Sequence, residues 1–181
     1  MNQMVKNFAL FLLLWILFPL KNLAQDIRFK HLTNNNGLSQ NLVLSITQDL
    51  EGFMWFGTKD GLNKYDGYRF LVFQNEPNNQ NSISSNYISE LFTDKNGKLW
   101  IGTEDGIVNI YNVETQSFQR IQLPITKTKS KNSEAISSIA QDKDGNIWIG
   151  TIGNGFFRIP FSTRYKVIIK RPTLPFPSRN G

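Results

Sequence analysis

An all-β chain made of repeated four-stranded units is what this sequence predicts, and three observations carry the prediction. A ten-residue phrase occurs three times, at residues 49–58, 94–103 and 142–151, each time with Asp first, Gly fourth, Trp seventh and Gly-Thr at its end. Trp55, Trp100 and Trp148 recur 45 and then 48 positions apart, a period that belongs to propeller blades or solenoid units. After each Asp-x-x-Gly comes a short run rich in aromatic and β-branched residues (53–56, 99–101, 147–149), the pattern of a strand buried on both faces. The prediction is therefore a partial β-propeller of about three four-stranded blades plus an amino-terminal closing strand.

The fixed residues of the phrase have separate physical reasons. Asp49, Asp94 and Asp142 accept hydrogen bonds from the amides that follow them, and Gly52, Gly97 and Gly145 supply the positive φ that closes a tight hairpin turn. Gly57, Gly102 and Gly150 allow another backbone or ring to approach closely.

In chain order, residues 1–24 read as a secretory signal: Lys6, the thirteen-residue apolar run 8–20, then a small residue at Ala24 where cleavage is expected. That run is too short to span a bilayer comfortably. Residues 27–33 alternate apolar and polar and read as the closing strand, because 68–73 and 117–121, the fourth segments of later repeats, look alike. Three repeats follow, at about 37–85, 86–133 and 134–163, within a repeat region of 27–163. The linker 74–85 has the Asn, Ser and Pro content of a solvated loop, as does 124–133 with Lys127, Lys129 and Lys131. Residues 156–159 read as the third strand of the last repeat and 165–170 as its fourth. Residues 164–181 form a basic, Pro-rich tail.

Composition narrows the functional classes. The chain has no cysteine, so disulfides and thiolate metal sites are excluded, and no cofactor or metal is expected. The net charge of +6 belongs to the ends: residues 25–163 hold 13 Lys and Arg against all 14 Asp and Glu. A nucleic-acid partner would need a basic stripe on the folded repeats, and none is expected. The single histidine, His31, would have to serve any Ser-His-Asp arrangement, and no Gly-x-Ser-x-Gly accompanies it. The chain is therefore read as not an enzyme.

The repeats resemble the two-component regulator propeller repeats of bacterial sensors, through Gly37-Leu38-Ser39-Gln40-Asn41, Ser45-Ile46-Thr47-Gln48-Asp49, Trp55-Phe56-Gly57-Thr58 and Asp60-Gly61-Leu62-Asn63-Lys64-Tyr65-Asp66. The resemblance implies the extracytoplasmic, glycan-sensing part of a hybrid sensor histidine kinase, exported to the periplasm or the outer face of the inner membrane. It implies a β-sandwich, a membrane helix and a kinase downstream, which makes this chain an amino-terminal fragment. Three repeats do not close a ring. Partners are then an oligosaccharide ligand and either further blades or a second copy of the chain, with the membrane reached only through the signal or a downstream helix. The rival readings are a secreted binding or scaffold module and a propeller enzyme of quinoprotein or lyase type.

Ligand-contacting residues are sought on loops at the strand ends of one face. Asn41, Asn86 and Glu134, equivalent positions leading into the first strand of each repeat, are the candidates, with Tyr87. The turn at 142–146 looks like a calcium loop but lacks the spacing, with Gly fourth and Gly153 twelfth. The three tryptophans are assigned to packing between blades rather than to sugar stacking.

Overall fold

The structure is a computed structural model that describes residues 3–4, 7–8, 28–125 and 134–161. The chain divides into two compact units, Met1–His31 and Leu32–Gly181. In the first, residues 3–4 and 7–8 are helical and 28–31 carry no regular structure. The rest of the export segment, the lysines at 127–131 and the segment 165–170 lie outside the described residues.

The closing strand expected at 27–33 does not form over its described part, 28–33, and Phe29 is exposed. A strand needs a ladder partner, and none of the three sheets takes this segment up. Local hydrogen bonds claim its end instead. Thr33 and Asn36 form a reciprocal capping box around a 3₁₀ turn, Asn34–Asn36, which ends at Gly37 in the left-handed region.

The second unit contains three antiparallel sheets. The first blade is β1 (Val43–Gln48), β2 (Met54–Thr58), β3 (Gly61–Tyr65) and β4 (Phe70–Phe73), paired in that order. The second repeats it as β5 (Ile88–Thr93), β6 (Leu99–Thr103), β7 (Ile107–Asn112) and β8 (Ser117–Gln122). The third has β9 (Ile136–Gln141), β10 (Ile147–Thr151) and β11 (Phe156–Ile159) among the described residues. The hairpins between first and second strands close as their residue types require, with φ of 92° at Gly52, 80° at Gly97 and 85° at Gly145. Each first strand also shifts register near its start, between Val43 and Ser45, between Ile88 and Glu90, and opposite Gly150 and Thr151.

The cores lie between blades. Strand pairing puts Ser45, Gly57, Leu62 and Phe73 on one face of the first blade, and Ile46, Phe56, Asn63 and Val72 on the other. One buried cluster joins Trp55 and Leu62 to Ile88, Leu91, Ile101 and Phe118 of the second blade. The next joins Trp100, Val108 and Ile121 to Ile136, Ile139 and Ile149 of the third. Each blade thus presents a Trp/Gly face forward and an isoleucine-rich face backward. The glycine of Gly-Thr is where the faces interlock. A Cβ on Gly57 would lie 2.7 Å from Ile88 Cγ2, and one on Gly102 would lie 2.5 Å from Ile136 Cγ2. Only glycine leaves room for the next blade's isoleucine.

The linker 74–85 is exposed at Gln74 and over 76–81, as its composition predicts, but its last part turns inward. Ile83 and Ser82 are buried, Ile83 in the cluster between the first two blades. One polar side chain of the linker and one from β8 satisfy carbonyls of that inward turn. Asn75 Nδ2 donates to the carbonyls of Ile83 and Ser84, and the Arg120 guanidinium donates to those of Asn79, Ser82 and Ile83.

Candidate functional site

The repeated phrase makes one device three times. The carboxylate of its aspartate accepts two amide hydrogen bonds on Oδ1, from Glu51 and Phe53 to Asp49, from Asn96 and Lys98 to Asp94, and from Asp144 and Asn146 to Asp142. Its Oδ2 accepts the indole N–H six residues on, at 2.7 Å from Trp55, 2.9 Å from Trp100 and 2.8 Å from Trp148. One carboxylate therefore closes the turn and aims the ring between blades. In the third blade Asn146 Nδ2 adds a bond to Oδ2. The Trp148 bond, then those of Asn146, lower the Asp142 pKa to about 2. The constant six-residue spacing was the signal for the indole bond, which reading the turn alone overlooks.

A second device occurs twice and was not anticipated. Ser39 N–H donates to Asn63 Oδ1, Asn63 Nδ2 donates back to Ser39 Oγ, and Ser39 Oγ meets Thr58 Oγ1 at 2.8 Å. Ser84, Asn109 and Thr103 repeat the arrangement, at 3.0, 2.9 and 3.0 Å. Asn63 and Asn109 are buried, so this reciprocal pair satisfies polar groups that would otherwise be costly. In the third blade Phe157 stands opposite Ile149, where asparagine stands in the other two.

The proposed ligand contacts sit where the chain enters each first strand, at the end of the sheet that also carries the β2–β3 type of turn. Gly61 N–H donates to the Asn86 carbonyl, and Glu104 N–H to that of Tyr87. Their side chains are partly committed. Asn41 Oδ1 accepts from Asn34 N–H, Asn86 Oδ1 accepts from Asn75 N–H, and Lys59 Nζ lies 5.3 Å from the centre of the Tyr87 ring. Asn86 and Tyr87 are neighbours there. Asn41 and Glu134 hold the equivalent places in the other two blades.

A concave surface lies at the opposite end, between the first two blades. A groove of about 310 Å³ is lined by Asp49, Glu51, Asn96, Lys98 and Tyr111 with the edge of Trp55. It continues past Tyr111 into a wider groove of about 680 Å³ that includes Gln80, Asn112 and Arg120. Burial raises the Tyr111 pKa, with the charges of Glu51 and Asp49 adding to the rise, so the phenol stays protonated and able to donate. Sequence reasoning missed this groove because its residues lie in turns of two different repeats. Among the described residues no group of three or more His, Cys, Asp or Glu side chains could hold a metal ion.

Antiparallel sheets of four, four and, among the described residues, three strands, stacked face to face and each pinned by an aspartate–indole bond, define a propeller array. Residues 82–105 and 130–153 match the two-component regulator propeller family. It is 40 % identical over 72 residues to histidine kinase P4 of Formosa agariphila, covering 40 % of this chain and 5 % of that one. Among solved structures, it is similar to two extracellular domains assigned to hybrid two-component systems of B. thetaiotaomicron. For BT3049 the identity is 33 % and the TM-score 0.61, over 73 % of this chain and 19 % of that one. For BT4673 they are 31 % and 0.50, over 65 % and 16 %. The chain spans less than a fifth of the length of each of these relatives.

Proposed function

We propose that this chain is the extracytoplasmic, ligand-sensing region of a two-component sensor, the amino-terminal part of a longer receptor, and that its ligand is a glycan. The observation that carries the sensor reading is the 33 % identity to an extracellular domain of a hybrid two-component system over 73 % of the chain. Ligand would act by binding one arrangement of the receptor better than another, so that the propeller biases a distant output without chemistry of its own. Tyr87 supports the glycan reading. Its half-buried ring, flanked by Asn86 and Lys59, pairs an apolar face with hydrogen-bonding groups, as a sugar ring requires.

The test is a thermal-shift and calorimetric screen of the chain against oligosaccharides of plant, algal and host type. One glycan class should raise the melting temperature, and Tyr87→Ala should weaken its binding by roughly tenfold. If a non-carbohydrate solute alone gives the shift, the glycan reading falls and the sensor reading stands. If the Tyr87 variant binds the glycan normally, the groove beside Tyr111 is the place to look.

A further inference from the structure

The groove between the first two blades departs from the repeat that builds it. Its turn in the first blade carries Leu50 and Glu51 where the second blade has Lys95 and Asn96, and Tyr111 of the second blade is answered by Ile159 in the third. This set of side chains therefore does not recur at the second interface. Tyr65 holds the place of Tyr111 in the first blade, and its hydroxyl donates to the Gly67 carbonyl at 2.6 Å. In the second blade the following turn is longer, with six residues between Tyr111 and its ladder partner Phe118 against four between Tyr65 and Phe70. The Tyr111 hydroxyl consequently has no hydrogen-bond partner among the described residues, and it lines the groove. The Glu51 carboxylate, exposed on the facing turn, has none either. Asp49 differs, since amides and the Trp55 indole take both its oxygens. The charges acting on the Tyr111 oxygen are those of Glu51 and Asp49, although Lys98 also lines the groove. Leu50, 73 % exposed, and Val113, 51 % exposed, stand beside these groups as apolar walls.

We propose that this groove is a second binding site, for a small ligand that carries a primary ammonium group on an apolar body. The ammonium donates to the Glu51 carboxylate and to the Tyr111 hydroxyl oxygen, and the tyrosine ring adds a cation–π contact. The apolar body lies against Leu50 and Val113, where it removes exposed apolar surface from water. An anion in the same place would face two carboxylates, and a neutral apolar body would leave the Glu51 charge without a partner. The groove, at about 310 Å³, stands at the lower end of small-ligand pockets, which fits a single amine. Glu51 comes from the first blade and Tyr111 from the second, so the ligand ties the two together and favours one arrangement of them. The site lies at the opposite end of the sheets from Tyr87 and does not rest on the glycan reading.

The test is a nuclear magnetic resonance titration of the full chain with phenethylamine, its neutral counterpart phenethyl alcohol and the anion hydrocinnamate. The amine should bind about tenfold more tightly than the alcohol, and the anion more weakly than either. Glu51→Gln changes an exposed side chain without a partner, and should weaken the amine about fivefold. Tyr111→Phe keeps the ring contacts with Trp55, Phe73 and Phe118 and should weaken it about threefold. Both variants should leave the alcohol unaffected, and Tyr87→Ala should leave the amine unaffected. Equal binding of amine and alcohol, preference for the anion, or an amine affinity indifferent to Glu51→Gln overturns the proposal. Loss of the amine in Tyr87→Ala places it at the other end of the sheets and overturns the proposal as well. A failed glycan screen leaves each of these outcomes readable.

Discussion

The second and third blades carry the same phrase, yet the structure treats them differently. All five residues of β6 are buried, while in β10 Trp148 and Gly150 are half-exposed. Leu-Trp-Ile-Gly-Thr and Ile-Trp-Ile-Gly-Thr are nearly the same sequence, so the difference comes from the neighbours. A blade of this kind does not own a core. It owns two half-cores, and only a blade with both neighbours completes them.

The largest effect that separates the two blades is expected at the notch glycines. A valine at Gly102 would drive its Cβ to 2.5 Å from Ile136 Cγ2 and 2.7 Å from Ile136 Cβ, atoms of a β-branched side chain fixed by its strand. Gly102→Val should cost about 3 kcal/mol or more, at the upper end of overpacking penalties. The same change at Gly150 meets rotatable serine hydroxyls and should cost below about 1 kcal/mol. Denaturant midpoints of the two variants, on dilute chain, give the comparison. Equal losses would mean that the glycines serve their own sheets and not the next blade.

Next comes the aspartate–indole bond. Asp94 is buried and holds Trp100, which is 1 % exposed, so Asp94→Ala strands the indole N–H and two amides out of water. The expected loss is about 2–4 kcal/mol. Asp142→Ala removes like bonds from a half-exposed ring whose donors can turn to water, and should cost less than half as much. A smaller contrast concerns the buried asparagine. Asn109→Ala should cost about 1–3 kcal/mol by stranding Ser84, whereas the third blade, with Phe157 in that place, has no such pair to lose.

This contrast also explains what could be read in advance. The Asp-x-x-Gly turns, the tryptophan strands and the blade count follow from local chemistry and a period, and both are visible in one dimension. The aspartate–indole bond is local too, but it shows only when the carboxylate's second oxygen is asked for a partner. The Ser39–Asn63 and Ser84–Asn109 pairs are 24 and 25 residues apart and link a loop to a third strand, so no short window contains them. The loop 74–85 is exposed over 76–81 as its composition suggests, but composition does not show that Ile83 plugs the cluster between blades while Asn75 serves the carbonyls beside it. The strand expected at 28–33 misled because alternation reports a face to cover, not a ladder to join. The groove beside Tyr111 arises from two turns in different blades, so no single repeat shows it.

The smallest effects lie in the pH dependence, and there the second and third blades differ in sign. Asp142 has a folded pKa of about 2 against an ordinary 3.8, because the Trp148 and Asn146 bonds favour its charged form. Its contribution is present in full above the ordinary value and is lost as pH falls through about 2. Glu90, on the inner strand of the second blade, has its pKa raised above 4.5 by burial, with the Ser45 hydrogen bond opposing that rise. The folded chain therefore holds a proton that the unfolded chain has released, and this group's contribution falls as pH rises from 4.5 to the raised value. Glu90→Gln should flatten the stability profile just above pH 4.5, and Asp142→Asn should flatten it between about 2 and 3.8, since an amide side chain binds no proton in this range. Denaturation midpoints from pH 2 to 7 for both variants read the two limbs separately. If Glu90→Gln leaves the upper limb unchanged, the carboxylate reaches water along the inner strand, and the first interface is wetter at its inner edge than the buried cluster behind it.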